Sequence, residues 1–202
     1  MVIVNVTDEL KKELKLSTFS SVFLENCLNS KFLSIEKNNS KIIAACFVGG
    51  VFNSNGIEIV KEYQGKGIGK KLLNEIMYEC KIRKISFLMG VFKPSNAISI
   101  KTHVKIGYIP LFTIFYNPKE GKEVVVILPF NLKGKILSKF LKIFDTRIGN
   151  SLFTFLFSLS QPLIKKLIAF DSTKMPKLDF TFAIKNFEKV SQTLINTDTS
   201  FK

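Results

Sequence analysis

Along the first two thirds of the chain, stretches of alternating apolar and polar residues are interleaved with stretches at helical spacing. Residues 2–6 (VIVNV) alternate weakly and predict a short strand. Over 8–30 the apolar positions Leu10, Leu14 and Leu16, then Val22, Phe23, Leu24 and Cys27, predict a helix in two pieces. A meander follows: strand 31–37, a turn at Asn38-Asn39-Ser40, strand 41–52, a turn at 53–56 (NSNG), and a third strand from Ile57. Ile68, Leu72, Leu73, Ile76, Met77 and Cys80 then predict a helix from Gly67 to Lys81. The near-continuous apolar run 85–92 is what a strand buried on both faces requires. Pro94-Ser95 breaks the chain, 96–106 reads as a short helix, and Gly107 stands where a C-cap would. Strands 108–116 and 123–130 close the series across a turn at 117–121. The order β, α(α), βββ, α, β, α, ββ predicts a mixed α/β fold around one sheet.

Composition changes this picture after residue 130. The chain has 202 residues, enough for one domain or one domain with an extension. Residues 131–202 hold 12 Lys+Arg and 5 Asp+Glu against 18 and 11 before them, and ten of the 20 Phe. This divides the chain into a domain at 1–130 and a basic, Phe-rich, mainly helical extension at 131–202. In 135–144 Lys135, Lys139 and Lys142 fall within roughly 60° of helical arc, and Ile136, Leu137, Phe140, Leu141, Ile143 and Phe144 fill the other side. A strongly apolar stretch follows, then a break at Pro162, then Lys165-Lys166, and 178–184 (LDFTFAI) alternates like a strand. The uncharged run between Arg147 and Lys165 is shorter than the ~20 residues of a spanning helix. Asp8 and Glu9 interrupt any signal-peptide core.

The formal charge of +14 calls for anionic company: a phosphate-bearing ligand, nucleic acid or an anionic membrane surface. For the extension three readings stand. It packs as a helical pair on the sheet or across a homodimer, it lies on a membrane surface, or it meets nucleic acid, the weakest because no recognised motif is present. Three scattered cysteines without a CxxC, and a single histidine, argue against disulfides and against a metal site. A reducing cytoplasm fits, with the inner membrane face as the alternative location.

One segment carries specific chemistry. Gln64-Gly65-Lys66-Gly67-Ile68-Gly69-Lys70-Lys71 joins a strand to a helix. Glycines there let the backbone approach a ligand closely. The helix start supplies free N–H groups and a positive dipole end, a ready site for pyrophosphate. The pattern is neither a Walker A loop nor a GxGxxG fingerprint, since Lys70, Lys71 and Leu72 follow Gly69.

The spacing Gln64-x-x-Gly67-x-Gly69 resembles the acetyl-CoA pyrophosphate motif of the GNAT superfamily of N-acetyltransferases. Further on, Asn96, Ser99, His103 and Gly107-Tyr108 resemble that family's second motif. The resemblance spans roughly residues 1–130. It implies a mixed, mostly antiparallel sheet with one splayed parallel strand pair, here 57–62 and 84–92, flanked by helices. It also implies acetyl-CoA as co-substrate without a metal, and a small-molecule or peptide amine as acceptor. Main-chain N–H groups of Gly65, Lys66, Gly67, Ile68, Gly69 and Lys70 would hold the pyrophosphate, with Gln64 opening the motif. Ile59 would pair with the pantetheine arm and polarise the thioester. Asn96 would bond the pantetheine, and the small Ser99 would leave room for it. Where the family usually places a tyrosine acid this chain has His103, either a proton donor or a half-exposed helix histidine without a catalytic part. Glu58 beside the thioester is a candidate base, or else a solvent-facing strand carboxylate. Cys46 and Cys80 fall on apolar faces and read as core.

Overall fold

The structure, a computed structural model, describes residues 1–168 apart from 51, 94 and 116–121. The elements are β1 (Val2–Val4), α1 (Asp8–Lys15), α2 (Ser21–Leu28), β2 (Ser30–Asn38), β3 (Lys41–Gly49), β4 (Ser54–Ile59), α3 (Ile68–Ile82), β5 (Phe87–Phe92), α4 (Ala97–Ile106), β6 (Ile109–Phe115), β7 (Lys122–Pro129), α5 (Leu132–Lys142) and α6 (Arg147–Ile168). The strands form one sheet in the order β1-β2-β3-β4-β5-β7-β6. It is mostly antiparallel, with β4 and β5 as its parallel pair. This is the mixed α/β class that the pattern predicts. The predicted strand at 178–184 lies outside the described residues. Among the described residues, Met1–Leu88 with Leu167 and Ile168 form one compact unit and Met89–Lys166 form the other.

In the first unit the meander's turns follow from residues that tolerate positive φ. Asn39 (φ 46°) and Ser40 (φ 66°) make a two-residue connection between β2 and β3. The next turn lies earlier than the 53–56 expectation. Gly49 pairs with Ser54, so the chain turns between them, with Gly50 and Asn53 at positive φ. Ser54, Asn55 and Gly56 belong to β4 instead. Gly56 lies opposite Phe47, and a Cβ there would stand 2.6 Å from the Phe47 ring, so this glycine makes room for an aromatic cross-strand neighbour. Leu33, Ile35, Ala45 and Phe47 form one core with Leu10, Leu14, Phe19, Phe23 and Cys27 of the α1–α2 region. The alternate residues face the other way, where Arg83 at the end of α3 lies 4.3 Å over the Phe32 ring.

In the second unit Asn96 caps α4, and Gly107 ends it at φ 106°, where the sequence predicts a C-cap. Asn131 accepts from the Gly134 N–H at 3.1 Å, so α5 starts at Leu132, ahead of the 135–144 stretch with helical spacing. It packs against β6 and β7. Phe112 of β6 meets the Phe144 and Phe153 rings at 6.2 and 5.9 Å. α6 runs through Pro162 rather than breaking there. A proline's fixed φ is itself helical, so the cost is one missing N–H bond and a bend, not an end.

Candidate active site

The loop between β4 and α3 is built around an unfilled helix start. Gly67 is the N-cap of α3 at φ 74°, no side chain caps it, and no acidic residue occupies the first turn. α1 shows the ordinary solution, with the Thr7 hydroxyl accepting from the Leu10 N–H and Asp8 and Glu9 in its first turn. In α3 the Lys71 N–H is bonded to the Gly67 carbonyl at 3.3 Å. The N–H groups of Ile68, Gly69 and Lys70 precede it without an intrahelical acceptor. Gly65 (φ 76°) and Gly67 sit in the left-handed region, and nothing beyond the adjoining chain lies within 4 Å of where their Cβ atoms would be. The result is an open cradle of main-chain donors at the positive end of a fifteen-residue helix dipole. Lys66, Lys70 and Lys71 stand exposed around it. The Lys66 Nζ lies 4.9 Å over the Tyr63 ring, and the Tyr63 hydroxyl accepts from Asn38 Nδ2 at 2.7 Å.

The same loop is tied to β4. Gln64 Nε2 donates to the Ile59 carbonyl at 2.9 Å, and a Cβ on Gly69 would meet Ile59 Cδ1 at 3.3 Å. The Val60 N–H donates to the Ile43 carbonyl of β3 at 2.9 Å. Successive residues of a strand aim their N–H groups to opposite sides. The Ile59 N–H therefore points away from β3. Ile59, Gln64 and the 65–70 cradle thus gather at one end of β4.

Glu58 faces the other side, as period-2 alternation with Ile57 and Ile59 predicts. Its carboxylate accepts from the Ser20 N–H at 2.7 Å and from the Ser20 hydroxyl at 2.6 Å. The sequence reading missed Ser20. A serine before a helical run signals a cap, but nothing local connects it to a residue 38 positions away. Burial, and then the Glu58 charge, push the Cys27 thiol well up; burial, ahead of its charged neighbours, pushes Cys80 to about 12, and Cys46 is also raised by burial. All three stay protonated and core-bound, in keeping with chemistry that uses no thiol nucleophile.

In the second unit Asn96, Ser99 and His103 are linked along α4. Asn96 Oδ1 accepts from the Ser99 N–H at 3.1 Å, and His103 Nδ1 lies 2.8 Å from the Ser99 carbonyl. A carbonyl can only accept, so Nδ1 carries the proton and Nε2 the lone pair in the neutral ring. His103 is 3% exposed, so the half-exposed setting expected above is replaced by a buried one. The rings of Phe92 and Tyr108 lie 4.4 and 4.9 Å away, and Nε2 is buried without a hydrogen-bond partner. Burial holds the imidazole below its usual pKa, and the bond to Ser99 opposes this in part. The sequence placed Tyr108 in the motif but did not show it as a wall for His103.

The pattern that defines the acetyltransferase (GNAT) family matches residues 8–108, which include Ser20, Glu58, Ile59, the 64–70 loop, Asn96, Ser99 and His103. The chain belongs to this family. Its GNAT fold recurs in the ribosomal-protein-S18-alanine N-acetyltransferase of Escherichia coli, at 20% identity and a TM-score of 0.51 over 65% of this chain and 94% of that one. It recurs in a GNAT family acetyltransferase of Elizabethkingia anophelis with acetyl-CoA bound, at 17% identity and 0.52 over 64% and 97%. It recurs again in a GNAT superfamily phosphinothricin acetyltransferase of Sinorhizobium meliloti in complex with acetyl-CoA, at 16% and 0.50 over 64% and 88%. At these identities the likeness is one of fold. No curated protein matches the chain significantly.

Proposed function

We propose that this GNAT protein is an N-acetyltransferase that passes the acetyl group of acetyl-CoA directly to an amine within a ternary complex. The observation that carries the proposal is the uncapped start of α3, with Gly65 and Gly67 at positive φ, tied through Gln64 to the strand end at Ile59. The donors of residues 65–70 would hold the pyrophosphate. The Ile59 N–H would polarise the thioester carbonyl, a contribution on the order of 3 kcal/mol. Asn96 uses its oxygen to cap α4, which leaves its amide N–H groups to donate to the pantetheine arm. Ser99 offers a small side chain beside it.

Glu58 is the proposed base, taking the amine's proton directly or through water. Ser20 holds its carboxylate in one orientation. The leaving thiol has a pKa of about 8.5, by analogy with cysteine. It can therefore depart as a thiolate without a strong acid. Burial disfavours the imidazolium that His103 would need to donate from Nε2. In this proposal His103 is a positioning residue that fixes α4 through the Ser99 carbonyl.

A CoA-release screen across amine classes tests the reading. Thiol release that saturates with at least one amine, with intersecting initial-velocity lines, is the expected result. Parallel lines would remove direct transfer. Tight CoA binding with background release across the panel would leave a binding module in place of an enzyme.

A further inference from the structure

α5 and the 3-10 turn after it bury only part of their apolar side. Leu137 and Leu141 are partly buried and Phe144 fully so, while Leu132, Ile136, Phe140 and Ile143 are exposed, Leu132 to 72% and Phe140 to 57%. The exposed four fall within roughly 80° of helical arc. Lys133 lies at one border of this stripe, and Lys139, Lys135 and Lys142 follow at the other. α6 repeats the arrangement. Gly149 and Asn150 are buried and Phe153 partly so, whereas Ile148, Leu152 and Leu159 are exposed, with Phe155 and Leu156 exposed beside them. These five fall within roughly 100° of arc. Two successive helices in one unit thus each turn a continuous apolar stripe outward, which is more than scattered surface leucines require.

Charge selects the occupant. Residues 131–168 hold seven Lys+Arg and one acid, Asp145. A second copy of this chain docking through the same face would set these lysine borders against each other with one carboxylate per copy to offset them. An anionic lipid surface meets both features: the stripes enter the boundary between headgroups and acyl chains, and the lysines meet the phosphates. No helix among the described residues is long and apolar enough to cross a membrane, so the fit is to lying on it. We propose that the outward face of α5 and α6 is a membrane-surface element that docks this protein on anionic lipid. The face shares no residue with the proposed acetyl-CoA site, so this inference stands or falls apart from acetyl transfer.

Sedimentation of the full chain with phosphatidylcholine vesicles, and with vesicles of phosphatidylcholine and phosphatidylglycerol in equal parts, tests it. Binding should occur on the anionic vesicles only and weaken as salt rises. Leu132→Gln with Ile136→Gln, or Ile148→Gln with Leu152→Gln, should weaken it by roughly ten-fold or more. Glutamine is a good helix former and these positions are exposed, so the urea midpoint should hold. Lys135→Gln and Lys139→Gln should cost roughly five-fold each. Absence of binding at low salt overturns the proposal. So does binding indifferent to the apolar substitutions, which would be nonspecific charge attraction. A fall in the urea midpoint of the glutamine variants would show the stripes covered by the rest of the chain. Loss of a concentration-dependent dimer in those variants, read by light scattering, would assign the face to a second copy.

Discussion

Substituting Gly67 separates backbone conformation from bulk at the phosphate cradle. Its φ of 74° lies in the left-handed region, and a Cβ there would touch nothing within 4 Å. The whole cost of a side chain in the free protein is therefore conformational. Alanine at this position should lose roughly 1–2 kcal/mol of stability. A β-branched valine should lose more, and asparagine, which tolerates this region, less. The urea midpoints should thus run Gly, Asn, Ala, Val in descending order, although asparagine is larger than alanine. Binding should fall for a related reason. A backbone that leaves the left-handed region swings its N–H groups off the anion, and each charge-assisted bond contributes about 1.5–3 kcal/mol. Gly67→Val should therefore weaken CoA binding by roughly ten- to hundred-fold in calorimetry. Gly69 supplies the contrast. It is helical, and alanine there gains up to about 1 kcal/mol of helix propensity. Its Cβ would press on Ile59 Cδ1 at 3.3 Å. Gly69→Ala should keep the urea midpoint while lowering kcat. An unchanged CoA affinity in a folded Gly67→Val, or midpoints that follow side-chain volume, would refute the reasoning.

Three further outcomes follow from other sites. Gly56→Ala should destabilise by about 1–3 kcal/mol, because its Cβ would lie 2.6 Å from the Phe47 ring, and Phe47→Leu in the same chain should restore much of the loss in urea unfolding. His103 is held below its ordinary value of 6.5, so its contribution is complete above that pH and is lost as pH falls toward the lower folded value, where the unfolded chain takes up the proton and the folded one does not. Urea midpoints measured downward from pH 7 should fall, and His103→Phe should flatten that part of the curve; an equal slope in both proteins would show that other groups carry it. Glu58→Gln should lower kcat/KM by roughly a hundred-fold, whereas Ser20→Ala, which frees that carboxylate, should change kcat with CoA affinity unaltered.

The sequence alone determined what depends on neighbouring residues. The cradle was legible because a left-handed N-cap needs glycine, and Gly65 and Gly67 stand where the chain passes from strand to helix. Gly107 marked the end of α4 for the same local reason. The mixed α/β order was legible because side-chain period reports strand or helix within a few residues. Tertiary structure decided the rest. The turn between Gly49 and Ser54 was placed by the β3–β4 register that sets Phe47 opposite Gly56, so that Ser54, Asn55 and Gly56 joined the strand. Glu58 found Ser20 from 38 positions away, and His103 was walled in by Phe92 and Tyr108. In α5 and the 3-10 turn after it a helical pattern showed which residues are apolar, but packing on β6 and β7 covered Leu137, Leu141 and Phe144 to varying extents and left Ile136 and Phe140 outward. Dihedral preference acts within a turn of the chain, so local sequence carries it. Burial, and with it the protonation of His103 and the accessible face of a helix, depends on which distant segments come to rest against a residue.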